Sequence, residues 1–246
     1  MGEGSGDEPT RVTIRDVARV AGVHISTVSR ALDPEKSNLI AEATRQRVIE
    51  VSNELGYRPH LIASGLRRGQ SRTVGVVVPD LGNPIFAPFA RGATHALEVG
   101  GFMPLVADTE DDHDRFARIL DHLVARRVEA IIVTAARAGD EACLRKTENH
   151  GVPMITAVRN VPSSGLPAIV HDDAQGSRLA AHHLLELGHR RFAQVRGPLD
   201  VEPFRVRSES FAAEIPDEFG VTEREPADRP TVEEGRRIAH ELFADA

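Results

Sequence analysis

A small all-α helix-turn-helix head followed by a doubly wound parallel α/β body is the fold class that this 246-residue sequence predicts. Three observations predict it. The first quarter of the chain combines basic charge with helix-type hydrophobic spacing. From Thr73 onward, short apolar runs alternate with helical stretches. Between the two lies a segment opened by Pro59 and closed by Gly69. A hydrophobic fraction of 41% with 27% charged residues excludes collagen-like and broadly disordered chains. No apolar run reaches the roughly 18 residues of a spanning helix, so no membrane role is expected. The one cysteine, Cys143, excludes an intrachain disulfide and suits a reducing, cytoplasmic compartment.

The net charge of −7 hides an asymmetry. Between Arg11 and Arg72 there are eleven basic and six acidic side chains, a surplus of five positive charges that leaves −12 for the rest. A basic head on an acidic body is suited to binding phosphates at one end while the bulk is repelled from them.

Taken in order, residues 1–11 read as a disordered tail: small, acidic and polar, with no secretory character. The head spans 12–58. Thr13-Ile14-Arg15-Asp16 has the form of a capping box. Ile14, Val17, Ala18 and Ala21 then fall on one helical face, and Gly22 ends the helix. A second short helix runs through Ser26 to Ala31, with Val28, Ala31 and Leu32 facing the core. A third runs from about Ala41 to Leu55, burying Val48, Ile49 and either Val51 or Leu55. Residues 59–69 are too apolar, through Leu61, Ile62 and Leu66, for a plain linker.

The body, 73–246, carries strand-like runs at Thr73 to Pro79, Met103 to Val106, Ala130 to Val133, Met154 to Val158, Ala168 to Val170 and Phe192 to Val195. Helical stretches lie at Phe86 to Val99, Asp114 to Arg126, Glu141 to His150, Gln175 to Leu187 and Val232 to Phe243. Alternation at this spacing predicts a parallel sheet, whose ligands bind outside the carboxyl ends of its strands.

Catalysis is not expected. The sequence has no phosphate loop, no His-Glu-x-x-His and no Gly-x-Ser-x-Gly elbow. Cys143 has no evident base. His182 and His183 are adjacent on a helix and point apart, which leaves them and His189 poorly placed for a shared metal. Asp111, Asp112 and Asp114 read as stabilisers of a helix N-terminus. No cofactor or metal is expected.

The run from Thr13 to Leu32, with Thr44-Arg45-Gln46-Arg47-Val48 and Leu55-Gly56-Tyr57-Arg58-Pro59, resembles the signature of the lactose-repressor family of transcriptional regulators. In the body, Val76 to Phe86, Asp172 to Gly176, Leu185 to Arg191 and Gly197-Pro198-Leu199 with Arg205 and Arg207 are similar to the same family. The resemblance implies a periplasmic-binding-protein-like body of two lobes. It also implies a pseudo-palindromic operator DNA as partner, a sugar-like small-molecule effector and a homodimer.

Residue by residue, the resemblance implies that Ile25 and Ser26 vary with operator sequence and that Arg30 reaches a base edge. Thr13, Thr27, Ser29 and Tyr57 would meet phosphates. His24 stands where the family has a serine N-cap, which implies a weaker start to the recognition helix or a different reach to DNA. Ala41 likewise lacks a capping side chain. Residues 59–69 match a hinge helix in which Leu66 wedges into the minor groove, Ala63 permits close approach and Arg67 adds phosphate contact. Asp80, Asn83, Phe86, Arg159, Asp172 and Arg207 would line the effector cleft, though Phe86 also suits a core position and Asp80 a helix cap. Val158 departs from an aspartate common in sugar-responsive relatives. The family continues beyond a stretch like Val232 to Phe243, which implies an incomplete second lobe here. The alternative reading is a truncated DNA-binding fragment without effector response.

Overall fold

The structure, a computed structural model, describes residues 12–33, 36–58, 71–224 and 231–244. The tail at 1–11 and the hinge at 59–69, with Ala63, Leu66 and Arg67, lie outside the described residues. The chain divides into two units, Met1–Gln70 and Ser71–Ala246.

In the first unit, α1 (Ile14–Ala21), α2 (Ile25–Ala31) and α3 (Glu42–Glu54) pack around Val17, Ala18, Ala21, Val28, Ala31, Val48 and Val51. The capping pattern at Thr13 forms: its backbone N–H donates to the Asp16 carboxylate at 3.0 Å. Gly22 ends α1 at φ 67°, a left-handed turn that costs a side-chain-bearing residue more. The expectation for α3 is corrected at one position. Val48 and Val51 enter the core, with Leu55 against it, but Ile49 is only half-buried and stands outside the cluster.

The second unit holds a five-stranded parallel sheet in the order β2-β1-β3-β4-β5. Its strands are β1 (Thr73–Val78), β2 (Met103–Asp108), β3 (Ala130–Val133), β4 (Met154–Ala157) and β5 (Ala168–Ile169). Their crossovers carry α4 (Phe86–Val99), α5 (His113–Ala125) and α6 (Glu141–Asn149). Val76 pairs with Val106 on one side and Ile132 on the other, which places β1 in the interior. Residues 74–78 are accordingly buried, whereas the edge strands β2 and β5 keep exposed residues. One core lies around Phe116, Leu120, Leu123, Ile131, Val133 and Leu144, and another around Val76, Val78, Phe86 and Ala90.

After α7 (Asp173–Glu186) comes a second, two-stranded parallel sheet of β6 (Phe192–Val195) and β7 (Val221–Arg224), joined through α8 (Glu202–Glu214). The last helix is α9 (Val232–Ala244). Neither α8 nor β7 was expected from the apolar pattern. Among the described residues no helix is long and apolar enough to cross a membrane.

Candidate DNA-reading helix and effector site

The second helix of the head begins at a histidine. The His24 ring Nδ1 accepts from the Ser26 backbone N–H at 3.2 Å and lies 2.8 Å from the Ser26 hydroxyl. The helix start is therefore capped by the histidine ring in the place of the family serine. Ala41, by contrast, gives α3 no side-chain cap. Val28 and Ala31 turn inward, leaving His24, Ser26 and Arg30 exposed, with Ile25, Thr27 and Ser29 half-buried. Tyr57 packs against the head core. The Thr13 hydroxyl donates to Asp16 at 2.7 Å, so its proton is engaged within the capping turn.

In the body, chemistry gathers at the carboxyl ends of the strands. The sheet order reverses between β1 and β3, which opens a crevice there. On one side is the loop after β1: Asp80 accepts from Gly82 N–H at 2.7 Å and Asn83 from Ile85 N–H at 3.0 Å. These side chains shape the turn that delivers Phe86, which is buried. The Arg159 guanidinium lies 5.6 Å from the centre of the Phe86 ring.

Arg159 is itself only 5% exposed, and its charge is met by Asp111 at 2.7 and 3.3 Å. Arg137 approaches the same carboxylate at 2.7 Å and reaches Asp200 at 3.2 Å, in the loop after β6. The Ala138 N–H donates to the Asp200 carbonyl at 2.8 Å, so the two sheets are joined at this point by backbone and side chain together. Burial alone would push the Asp111 carboxyl up, but Arg159 and Arg137 outweigh it and hold the group below its ordinary value. The expectation for Asp111 is thus corrected: of the three acids, Asp112 caps α5, accepting from Arg115 N–H at 2.6 Å, while Asp111 turns inward to the arginines.

Beside this network Asp140 accepts from Arg137 N–H at 2.8 Å and pairs with His113 Nδ1 at 2.5 Å. Burial raises the Asp140 carboxyl above its ordinary value despite those partners. Cys143, one turn on, donates Sγ–H to the Asp140 carbonyl at 3.0 Å. Its thiol is pushed up to about 11 by burial, with the Asp140 charge adding to it.

Val158 sits at φ 66° between Ala157 and Arg159, whose carbonyl and N–H close a three-residue turn at 2.7 Å. A β-branched residue is strained in that region, and the strain lies next to the arginine of the crevice.

The remaining expected residues stand on the second sheet's side. Asp172 caps α7, accepting from Gln175 N–H at 2.8 Å, and its neighbour Asp173 pairs with Arg207 at 2.7 Å. Arg207 also lines a cavity of about 350 Å³ with Gln194, Arg196, Phe204, Glu234 and Ile238. Of the six expected cleft residues, the structure brings Phe86 to Arg159, and Asp80 and Asn83 into one turn. Only Arg207 reaches the cavity. Sequence reasoning missed Asp111, Arg137 and Asp200. For Arg137 and Asp200 a signal existed, since each follows an apolar run and so sits at a strand's carboxyl end. Among the described residues no cluster of His, Cys, Asp and Glu could hold a metal ion. His182 instead pairs with Glu214 at 2.7 Å.

Comparison with known proteins matches both units. The profile described as periplasmic binding proteins and sugar binding domain of LacI family covers residues 71–227. This chain belongs to the LacI family. The profile of bacterial regulatory proteins, lacI family, covers residues 13–60. The HTH-type transcriptional regulator PtxS of Pseudomonas putida is 35% identical over 83% of this chain and 60% of its own length. The ribose operon repressor of Halalkalibacterium halodurans is 31% identical over 81% of this chain and 58% of its own. The chain thus spans about three fifths of these LacI-family relatives. A lac repressor dimer bound to operator and the anti-inducer ONPF shares the fold, with a TM-score of 0.79 over 96% of this chain and 71% of that one, at 24% identity.

Proposed function

We propose that the chain is a sequence-specific DNA-binding regulator, a repressor, whose hold on a pseudo-palindromic operator is set by a small sugar-like effector. The observation that carries this reading is α2: a short helix anchored by Val28 and Ala31, with His24, Ser26 and Arg30 exposed along it. In a basic head of this family, that edge suits the major groove. Arg30 donates to guanine O6 and N7, a contact worth roughly 1–3 kcal/mol of base discrimination. Ile25 and Ser26 set operator preference, while Thr27, Ser29 and Tyr57 meet phosphates. Thr13 serves by fixing the capping turn. Ala63, Leu66 and Arg67 act at the minor groove on the strength of the family resemblance alone. Two copies bind together, in the cytoplasm at the nucleoid, without a catalytic role.

The effector enters between the crevice of Asp80, Asn83, Phe86 and Arg159 and the side of Asp172 and Arg207. The Phe204 ring and the Arg207 guanidinium in one cavity support a ligand with an apolar face and polar rim. A second reading, DNA binding without effector response, draws support from Arg159 and Arg207, whose charges are already paired with Asp111 and Asp173.

The test is selection of bound DNA from a random duplex pool at moderate salt, repeated with Arg30→Ala. The expected outcome is a two-fold-related motif that loses base preference at one position per half-site in the variant. An unchanged motif with Arg30→Ala would remove the recognition-helix assignment. Release of the selected duplex by one member of a sugar panel separates the effector-controlled reading from the second one.

A further inference from the structure

We propose that His24 and Ser26 form a hydrogen-bonded couple of fixed polarity, which offers DNA a ring N–H donor beside a hydroxyl acceptor. The proposal rests on the DNA-binding reading above and adds a specificity-determining residue to it. The polarity of the couple is set at the Ser26 backbone. Its N–H can only donate, so the His24 Nδ1 that it meets at 3.2 Å is the unprotonated nitrogen. The neutral ring therefore carries its hydrogen on Nε2. The same Nδ1 lies 2.8 Å from Ser26 Oγ, and two acceptors would repel at that distance, so the hydroxyl donates to the ring.

Both orientations follow from one backbone bond. His24 is exposed, no described residue meets its Nε2, and that atom presents N–H outward. Ser26, also exposed, has spent its proton and presents lone pairs. A serine in place of His24 would cap the turn but would carry no second, oppositely polarised atom beyond it. The matching chemistry on DNA is an exocyclic amino group, of adenine or cytosine, for the Ser26 oxygen. For His24 it is an acceptor: a phosphate oxygen or the O6, N7 or O4 of a base.

Two measurements test this. A two-bond nitrogen–proton spectrum of the full chain reads the His24 tautomer without any DNA. Protonation at Nε2 is expected, and a ring protonated at Nδ1 overturns the couple. The random-duplex selection is then run with Ser26→Ala, which keeps the backbone donor, and with His24→Ser, which keeps a capping acceptor but has no donor at the reach of Nε2.

Ser26→Ala is expected to lose preference at one base pair and about tenfold in affinity. His24→Ser is expected either to lose preference at a neighbouring position, which assigns a base acceptor, or to weaken binding to all sequences by a similar factor with the motif intact, which assigns a phosphate. Both variants enriching the parent motif at parent affinity would overturn the proposal. Failure of the parent chain to enrich any motif would remove the regulator reading and the couple's role with it, while the spectrum still reports whether the couple exists.

Discussion

Asp111 shows how a single side chain can be misassigned by its neighbours in the chain. Beside Asp112 and Asp114 it looks like one more acid at a helix start. Yet Glu110 and Asp111 both adopt positive φ, 52° and 55°, and that turn swings the carboxylate onto Arg159 and Arg137. No hydrophobic period encodes such a turn, so the pairing was not legible. His24 follows the same logic, since its capping role depends on a ring orientation that residue type alone leaves open. Asp111→Ala leaves two poorly exposed guanidiniums facing each other, and removal of one partner from such a cluster costs about 3–5 kcal/mol. The urea midpoint of the body should fall accordingly. The pH dependence has a definite sign. Because the folded Asp111 carboxyl is held below its ordinary value, its stabilisation is complete above the unfolded pKa, about 3.9, and is lost as pH falls through the lower, folded value. A urea titration below pH 4 should show this loss in the parent chain and not in Asp111→Ala.

Among the elements, β1, β3 and β4 were legible because burial writes continuous apolar runs into a parallel sheet, and the helices between the strands because their apolar residues recur at helical spacing. The element that most clearly exceeds pattern reading is β1, where Gly75 interrupts such a run. Its reason is a close approach: a Cβ there would stand 2.8 Å from Leu123 Cδ1 and 3.3 Å from Cδ2. Leu123 is buried on α5, within the core cluster of the sheet. Gly75→Ala should therefore destabilise the body by about 1–3 kcal/mol through overpacking. On a Leu123→Ala background the same change should be nearly neutral, and a urea-denaturation cycle over the four proteins measures that coupling. The elements missed, α8 and β7, are those with weak patterns. The helix carries Pro203 in its first turn and charges at Glu202, Arg205, Arg207 and Glu209, and the strand reads Val-Thr-Glu-Arg, with no buried residue.

For the whole molecule, the division into a basic head and an acidic body was legible from charge alone, and the two units keep separate cores. What the linear pattern could not supply is how loops from different crossovers converge. Asp80, Arg159 and Arg207 stand as isolated positions in the sequence, whereas the structure joins the two sheets through Arg137 and Asp200, residues with no motif of their own. The site was readable as strand ends and not as a circuit.

Cys143 turns that packing into something that can be timed. It is the chain's one thiol, half-buried, with its pKa pushed up to about 11. A thiol raised that far holds much less thiolate at neutral pH, so alkylation of the native chain should lag a free thiol by roughly a hundredfold. Labelling should quicken when α6 lifts from the sheet, and mass spectrometry after a maleimide pulse would follow those openings. Because Cys143 bonds the carbonyl of Asp140, whose carboxylate in turn holds Arg137, the reaction clock sits one step from the contact that joins the sheets. A ligand that tightens that contact should slow the clock, with no added dye and no engineered cysteine.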